Sequence, residues 1–489
     1  MKVYKLLFIT LLMSGLFTSC SQDQDDLDTL KPGPGNAQDL TVQHFIYRGL
    51  NEIYLYKALV PELADDFFAN QTAKNDFLDN YETPEDLFYD GLLAPQDRFS
   101  FIVDDYIALE NSFSGISKTT GMNYNLSYIT SGSDDLLGFV RYVLPGTSAE
   151  EQGIKRGDIF TKINGTQLTI NNYQALLASP TVSVTLASLE GNVITETGVT
   201  KTLTNVEYSS NPVFIKRTLD VNGLKVGYLM YNSFTSDYDS QLNQAFGEFK
   251  AAGITDLILD LRYNGGGDVR TATDLASMIT GQFAGEIFMK EQWNEKYQAY
   301  FESNEERKES LLNRFNTKIR SGEDINSLNL SRVFVLTTLR SASASELIIN
   351  GLKPYIDVIQ VGDKTTGKFT ASVTLYDSPN FGRANANTTH KYALQPLVLK
   401  SVNAAGVSDF VDGLEPDYLI KENIRSLGTL GDLNEPLLKV ALDVLQGNRA
   451  SIQYTEEEFK SMGESNMFNL DYQRMYIDKL PDLDQIEKE

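Results

Sequence analysis

The stretch that decides the fold is Ser341-Ala342-Ser343-Ala344-Ser345-Glu346, followed by Leu347-Ile348-Ile349-Asn350-Gly351-Leu352. Before it, Arg332-Val333-Phe334-Val335-Leu336 is a short apolar run suited to a buried strand. After it, Leu347, Ile348 and Leu352 recur at the spacing of one helical face. The serines therefore fall at a strand-to-helix turn, where a hydroxyl can stand beside the free N–H groups of a helix start. Ser343-x-x-Glu346 also has the form of a capping box, which needs no chemistry beyond the helix itself. Lys368, in Thr365-Thr366-Gly367-Lys368, lies 25 residues beyond Ser343.

Upstream, Asp256-Leu257-Ile258-Leu259-Asp260-Leu261-Arg262 reads as a strand covered on both faces. It runs into Tyr263-Asn264-Gly265-Gly266-Gly267-Asp268 and then a helix over 270–280. No Gly-Lys-Ser/Thr follows the glycines, and a ribose-binding acid is lacking, so a nucleotide loop is not supported. Such glycines also let backbone approach a substrate and offer N–H groups to an oxyanion. Lys225 to Tyr231 and Val358 to Gly362 read as further strands, Tyr238 to Ala252 and Glu435 to Leu445 as helices, and Tyr392 to Lys400 as one more strand.

Residues 117–205 have a different texture, with short β-type runs at 124–129, 137–143, 159–163 and 182–186. Between them lies Pro145-Gly146-Thr147-Ser148-Ala149-Glu150-Glu151-Gln152-Gly153-Ile154-Lys155-Arg156-Gly157-Asp158, and then Asn164-Gly165. This pattern resembles a PDZ domain of the bacterial periplasmic type. The resemblance implies capture of a peptide C-terminus as an added strand, its carboxylate held by backbone N–H groups around Gly121, Met122 and Asn123.

The order of these pieces resembles the C-terminal-processing, or tail-specific, serine peptidases. Asp260-Leu261-Arg262-x-Asn264-x-Gly266-Gly267, the Ser-Ala-Ser-Glu at 343–346, Gly367-Lys368 and the Gly413-Leu414-Glu415-Pro416-Asp417 segment carry it. The resemblance implies a crotonase/ClpP-like α/β core with Ser343 as nucleophile and Lys368 as general base. It also implies an oxyanion hole from the N–H of Ala344 and of Gly266 or Gly267. Glu346 would support the turn. The chain departs from the family in two places. Phe369 stands where a glycine usually follows the lysine, and Ser372 where several members have a glutamine that orients it. Ser372 or Thr370 is then expected to hold the amine.

The chemistry is self-consistent. Only His44 and His390 are available for a histidine triad, neither in a recognisable motif, and His-Glu-x-x-His is absent. A Ser/Lys pair dispenses with histidine. Its lysine must be neutral, about three units below the ordinary ~10.4, which is worth roughly 4 kcal/mol. Burial without a paired carboxylate supplies that direction, so Lys368 is expected to be buried and unpaired. No cofactor or metal is expected.

The net charge of −24 and the lack of a basic stripe argue against a nucleic-acid partner. Lys2 and Lys5 precede an apolar run, Leu6 to Phe17, too short to span a bilayer. With Leu16-Phe17-Thr18-Ser19-Cys20 it resembles a bacterial lipobox, implying lipidation of Cys20, the only cysteine. The reading is a multidomain α/β protein. Its parts are a lipoprotein signal peptide at 1–20, a tether at 21–38 and a helical N-terminal domain at 39–116. They continue with a PDZ-like β-rich domain at 117–205, a peptidase core at 206–449 and an acidic appendage at 450–489. The appendage is expected either to have little core or to lie across the body. The expected function is an endopeptidase for proteins with free C-termini, lipid-anchored in the bacterial cell envelope. An inactive peptide- or ligand-binding lipoprotein on the same fold is the alternative.

Overall fold

The computed structural model describes residues 39–449, 459–478 and 480–481. The expected signal peptide, Cys20 and the tether lie outside the described residues.

The strands expected from apolar runs assemble into one six-stranded sheet. Its order is Val213–Val221, Leu224–Tyr231, Asp256–Asp260, Arg332–Thr337, Asp357–Gly362 and Tyr418–Leu419. The first pair is antiparallel and the rest are parallel. Alternate residues point to opposite faces of each strand. Leu229, Leu257, Leu259, Val333 and Val335 pack under the helices Asp239–Ala252, Val269–Thr280 and Ala344–Leu352. Tyr228, Met230, Ile258, Phe334 and Leu336 pack under the helix Pro436–Leu445. Covering both faces explains why these strands read as unbroken apolar runs.

This topology positions the site. Leu259 pairs with Val335, and Thr337 with Gly362, so three neighbouring parallel strands end side by side. The Gly-rich turn, the serine turn and the loop to Lys368 leave from those three carboxyl ends, the usual place for a ligand on such a sheet.

A second six-stranded sheet runs Gly267–Asp268, Met475–Tyr476, Thr370–Ser372, Leu397–Asn403, Ile287–Trp293, Leu312–Arg314. The expected strand at 392–400 is two strands, Ala393–Gln395 and Leu397–Asn403, in different sheets. Pro396 lies at the break; it has no N–H for a ladder. The PDZ-like unit is built on Met122–Tyr128, Leu136–Val143, Ile159–Ile163 and Thr181–Glu190, with the longer Val193–Thr204 at one edge. The N-terminal region is mainly helical, opening with Thr41–Ile53, but Phe101–Val103 forms a strand paired with Ala393–Gln395.

The described part of the appendage lies across the body, the second of the two forms expected. Ser461–Glu464 adds an edge strand to the PDZ-like sheet, and Met475–Tyr476 enters the second core sheet between Gly267–Asp268 and Thr370–Ser372.

Candidate active site

The three serines of the turn have different partners. Ser341 Oγ donates to Leu261 O at 2.8 Å and Ser345 Oγ to Asn264 O at 3.0 Å. Together with Ala342 N–H on Asn264 O at 3.2 Å, they fasten the serine turn to the Gly-rich turn. Among the described residues Ser343 Oγ has no hydrogen-bond partner, although the residue is 0 % exposed. Its backbone sits at φ 67°, ψ −115°, a strained conformation for a residue with a Cβ, of the kind that holds a nucleophile out of a strand-to-helix turn. Only half of the capping box forms. Ser343 N–H donates to Glu346 Oε2 at 2.7 Å, and the serine hydroxyl is left free.

Glu346 does more than cap. Oε2 also accepts the Lys368 N–H at 2.9 Å, while Oε1 accepts Thr365 Oγ1 at 2.5 Å and Gly367 N–H at 2.6 Å. One buried carboxylate thus joins the serine turn to the lysine loop. Burial raises its pKa from the ordinary glutamate value, against the pull of those four donors.

Lys368 is 0 % exposed, and among the described residues it has no carboxylate ion pair. Burial holds its amine well below the usual lysine value, the Arg474 guanidinium pushes the same way, and Asp97 and Glu346 pull weakly against them. The Phe99 ring lies 4.9 Å from Nζ. The amine donates to Gln473 O at 3.0 Å. Neither Ser372 nor Thr370 holds it. Ser372 Oγ donates to Met475 O at 3.2 Å, and Thr370 pairs in the sheet opposite Lys400. The tail backbone has taken the position that the sequence left to those hydroxyls.

The Gly266 N–H, expected to face an oxyanion, donates instead to Asn264 Oδ1 at 2.8 Å. Gly266 is still the closest wall of the site. A Cβ there would lie 2.7 Å from Ser343 Cβ and 3.0 Å from Ala344 N, and φ is 109°. Gly267 pairs with Met475. Ala344 supplies the first N–H of the helix Ala344–Leu352. The Gly121 and Met122 N–H groups, expected to hold a peptide carboxylate, turn onto Thr119 Oγ1 at 2.9 Å and Thr120 Oγ1 at 3.3 Å. With Asn123 they line a cavity of about 600 Å³ that the tail also lines at Ser465 and Asn466.

Two parts of the site had no role in the sequence reading. Asp97 Oδ1 accepts Phe99 N–H and Ser100 N–H, both at 2.9 Å, closing a turn that presents Phe99 to Lys368. Arg98 Nη2 reaches Gly367 O at 3.1 Å. The signal available was the Asp-x-x-Ser turn chemistry. The Asp260-Leu261-Arg262 motif is structural. Arg262 is fully buried, forks onto Glu435 at 2.6 and 2.9 Å, and pairs with Asp260 at 2.8 Å. It fixes the base of the Gly-rich turn.

The match to known families follows this layout. The model for peptidase family S41 matches residues 225–418, that for the peptidase S41 N-terminal domain 41–101, and that for the PDZ domain 139–188. The chain belongs to peptidase family S41. It is 25 % identical over 359 residues to a carboxyl-terminal-processing protease of Picosynechococcus sp., covering 72 % of this chain and 76 % of that one. It is 25 % identical over 315 residues to a chloroplastic C-terminal processing peptidase of Tetradesmus obliquus, covering 61 % of each. Among solved structures, a candidate S41 protease from Bacteroides fragilis aligns with a TM-score of 0.64 at 26 % identity, over 85 % of this chain and 99 % of that one. Family S41 is a family of serine-type proteases, which implies protein substrates.

Proposed function

We propose that this S41 chain is an endopeptidase working through a Ser343/Lys368 dyad and an acyl-enzyme. Neutral Lys368 Nζ takes the proton as Ser343 Oγ attacks the peptide carbonyl carbon. The C–N bond then breaks, the lysine returns that proton to the leaving amine, and the acyl group stays as an ester on Ser343 until water hydrolyses it. The Ala344 N–H at the helix start faces the developing oxyanion. In the tail-filled conformation the amine rests on Gln473 O, so reaction requires it to turn to Ser343 Oγ. The PDZ-like unit recognises the substrate's C-terminal end, and lipid on Cys20 holds the enzyme at the cell envelope, outside the cytoplasm.

The observation that carries this reading is the division of labour among three adjacent serines. Two are tied down, and the one in a strained conformation is unpartnered and bound through Glu346 to a buried, unpaired lysine. The test is cleavage of unfolded protein substrates by the full chain beside Ser343→Ala and Lys368→Ala. Cleavage by the parent with both variants folded and inert is expected. Continued cleavage by Ser343→Ala would remove the assignment.

A further inference from the structure

The second core sheet holds a vacancy one strand wide, and the chain's own tail fills it. Gly267–Asp268, beside the nucleophile, and Thr370–Ser372, just after the base, do not pair with each other; Met475–Tyr476 lies between them, pairing with both. A slot between the nucleophile wall and the base strand is where an extended substrate has to lie, because its backbone then finds ladder partners on both sides. The tail occupies it closely. Gln473 O receives the Lys368 amine, and Ile477 N–H donates to Ser372 O at 3.0 Å. The Arg474 carbonyl packs on Gly266, where an added Cβ would lie 2.4 Å from that oxygen and 2.7 Å from Ser343 Cβ. Nothing can reach Ser343 while the strand is in place, since the residue is 0 % exposed.

The same tail covers the PDZ-like unit. Glu464 pairs with Asn125 in the edge ladder, forms a buried ion pair with Arg141, and meets Arg340 at 3.1 Å. Asn466 Oδ1 accepts from Asn123 at 3.0 Å, and Ser465 Oγ accepts the Tyr124 N–H at 3.2 Å. One segment therefore sits on both surfaces expected to bind a substrate.

The side chain of Arg474 has a pocket of its own. Its guanidinium lies 3.7 Å over the Phe101 ring, and Nη1 donates to Phe99 O at 2.7 Å. A planar cation suits an aromatic face with a carbonyl at its rim. Phe99 and Phe101 belong to the N-terminal region, so the ring face and this carbonyl come from outside the tail, while Nε donates to Leu470 O within it at 3.3 Å.

We propose that residues 459–478 are an intramolecular, substrate-like ligand that masks Ser343, and that the Phe99–Phe101 pocket is a subsite for a basic side chain next to the reacting carbonyl. The proposal rests on the peptidase reading of Ser343. A tethered segment holds its site at a local concentration on the order of millimolar, so substrates of this enzyme are extended peptides with an arginine, or less well a lysine, that displace the tail.

The test uses the full chain with a recognition sequence for a specific protease inserted between residues 449 and 459. After cutting and removal of the tail, a fluorophosphonate should label Ser343 at least about tenfold faster than in the uncut chain, the factor by which masking lowers the reactive fraction. Arg474→Glu in the uncut chain should speed labelling in the same direction. A dye-labelled peptide spanning 459–481 should rebind the cut protein. Its Arg474→Ala form should bind at least about fivefold more weakly, in the range of a lost cation–aromatic contact, and its Arg474→Lys form should fall between. Equal labelling before and after cutting, or unfolding on tail removal seen by near-ultraviolet circular dichroism, overturns the mask. Equal binding of the alanine peptide overturns the basic subsite. A tail-free protein that labels at Ser343 and binds the peptide but cuts no peptide bond removes the peptidase reading and leaves the mask. Equal cleavage by cut and uncut chains removes the mask and leaves the peptidase.

Discussion

Ser343 and Lys368 share an oxygen. Glu346 Oε2 accepts the backbone N–H of the first at 2.7 Å and of the second at 2.9 Å. The carboxylate sets the separation of Ser343 and Lys368 by holding their main chains, and it bonds neither the Ser343 Oγ nor the Lys368 Nζ. This makes Glu346 a positioning residue. Glu346→Gln keeps the shape but turns an NH₂ toward donors. The expected result is a fall in kcat of about 100-fold with KM changed by less than about threefold, in the manner of a displaced catalytic group. Stability should fall by about 1–3 kcal/mol, because buried N–H groups lose their acceptor. Steady-state kinetics and urea unfolding read the two effects. A rise in KM alone would mean that the carboxylate shapes the substrate cleft instead.

The free hydroxyl of Ser343 has a consequence for stability. Ser343→Ala removes an Oγ that makes no hydrogen bond, so unfolding free energy should stay within about 0.5 kcal/mol of the parent. The φ of 67° remains strained for alanine. Ser343→Gly adopts that conformation without a Cβ, so it should exceed Ser343→Ala in stability by about 1 kcal/mol while remaining equally inactive. Chemical denaturation of the two variants side by side checks the difference, and glycine as the less stable of the pair would locate the strain elsewhere.

How much of this was legible in the sequence follows from the range of each interaction. The strands around 226–231, 256–260 and 332–337 announced themselves because burial on both faces leaves unbroken apolar runs. The helices after them showed 3.6-residue spacing, and the PDZ-like turns carried their own glycines. What stayed hidden was where individual N–H and amine groups find their acceptors, within a turn as well as between distant segments. Asn264 Oδ1 takes the Gly266 N–H, which no motif reveals, since an asparagine side chain folding back on its own turn leaves no periodic trace. Phe99 reaches Lys368, and Gln473 O receives the amine, across separations of 269 and 105 residues. The polar tail read as an appendage because its apolar residues, Met475 and Tyr476 among them, follow no helix or strand period and are buried against cores formed by other segments. It docks by backbone pairing and ion pairs such as Glu464 with Arg340.

The depressed lysine gives a pH dependence with a definite sign. For activity, the neutral amine is the active form, so the acylation rate should rise with pH and level off at a value well below 10.5. For stability, the unfolded chain binds a proton that the fold excludes. The penalty is therefore full below the folded pKa and disappears as pH rises toward ~10.4. Lys368→Met should stabilise the protein at pH 7 and less so at pH 10, with a slope of at most about 1.4 kcal/mol per pH unit between the two pKa values. A parallel shift at both pH values would indicate better packing of methionine and not proton linkage.

Arg262 separates structural from chemical loss within one motif. Its guanidinium is enclosed by Asp260, Glu435 and Glu422, at 2.8, 2.6 and 3.2 Å. Glu435 in turn caps the helix Pro436–Leu445 through the Leu438 N–H at 2.8 Å. Arg262→Met leaves Asp260 buried without its cation and Glu435 with Arg156 at 4.0 Å, while Glu422 keeps Arg156 at 2.8 Å, a loss of about 3–5 kcal/mol. Restoring neutrality should recover much of it: the double variant Arg262→Met with Glu435→Gln keeps an oxygen for the helix cap and is expected to be at least about 1 kcal/mol more stable than Arg262→Met alone. Thermal and urea unfolding give both numbers. Because the Arg262 side chain bonds neither Ser343 nor Lys368, the rate of Ser343 acylation per folded molecule should hold within about threefold at a temperature where the variant is still native. A rate that falls while the fold survives would place the arginine in the chemistry, which its burial beneath the turn argues against.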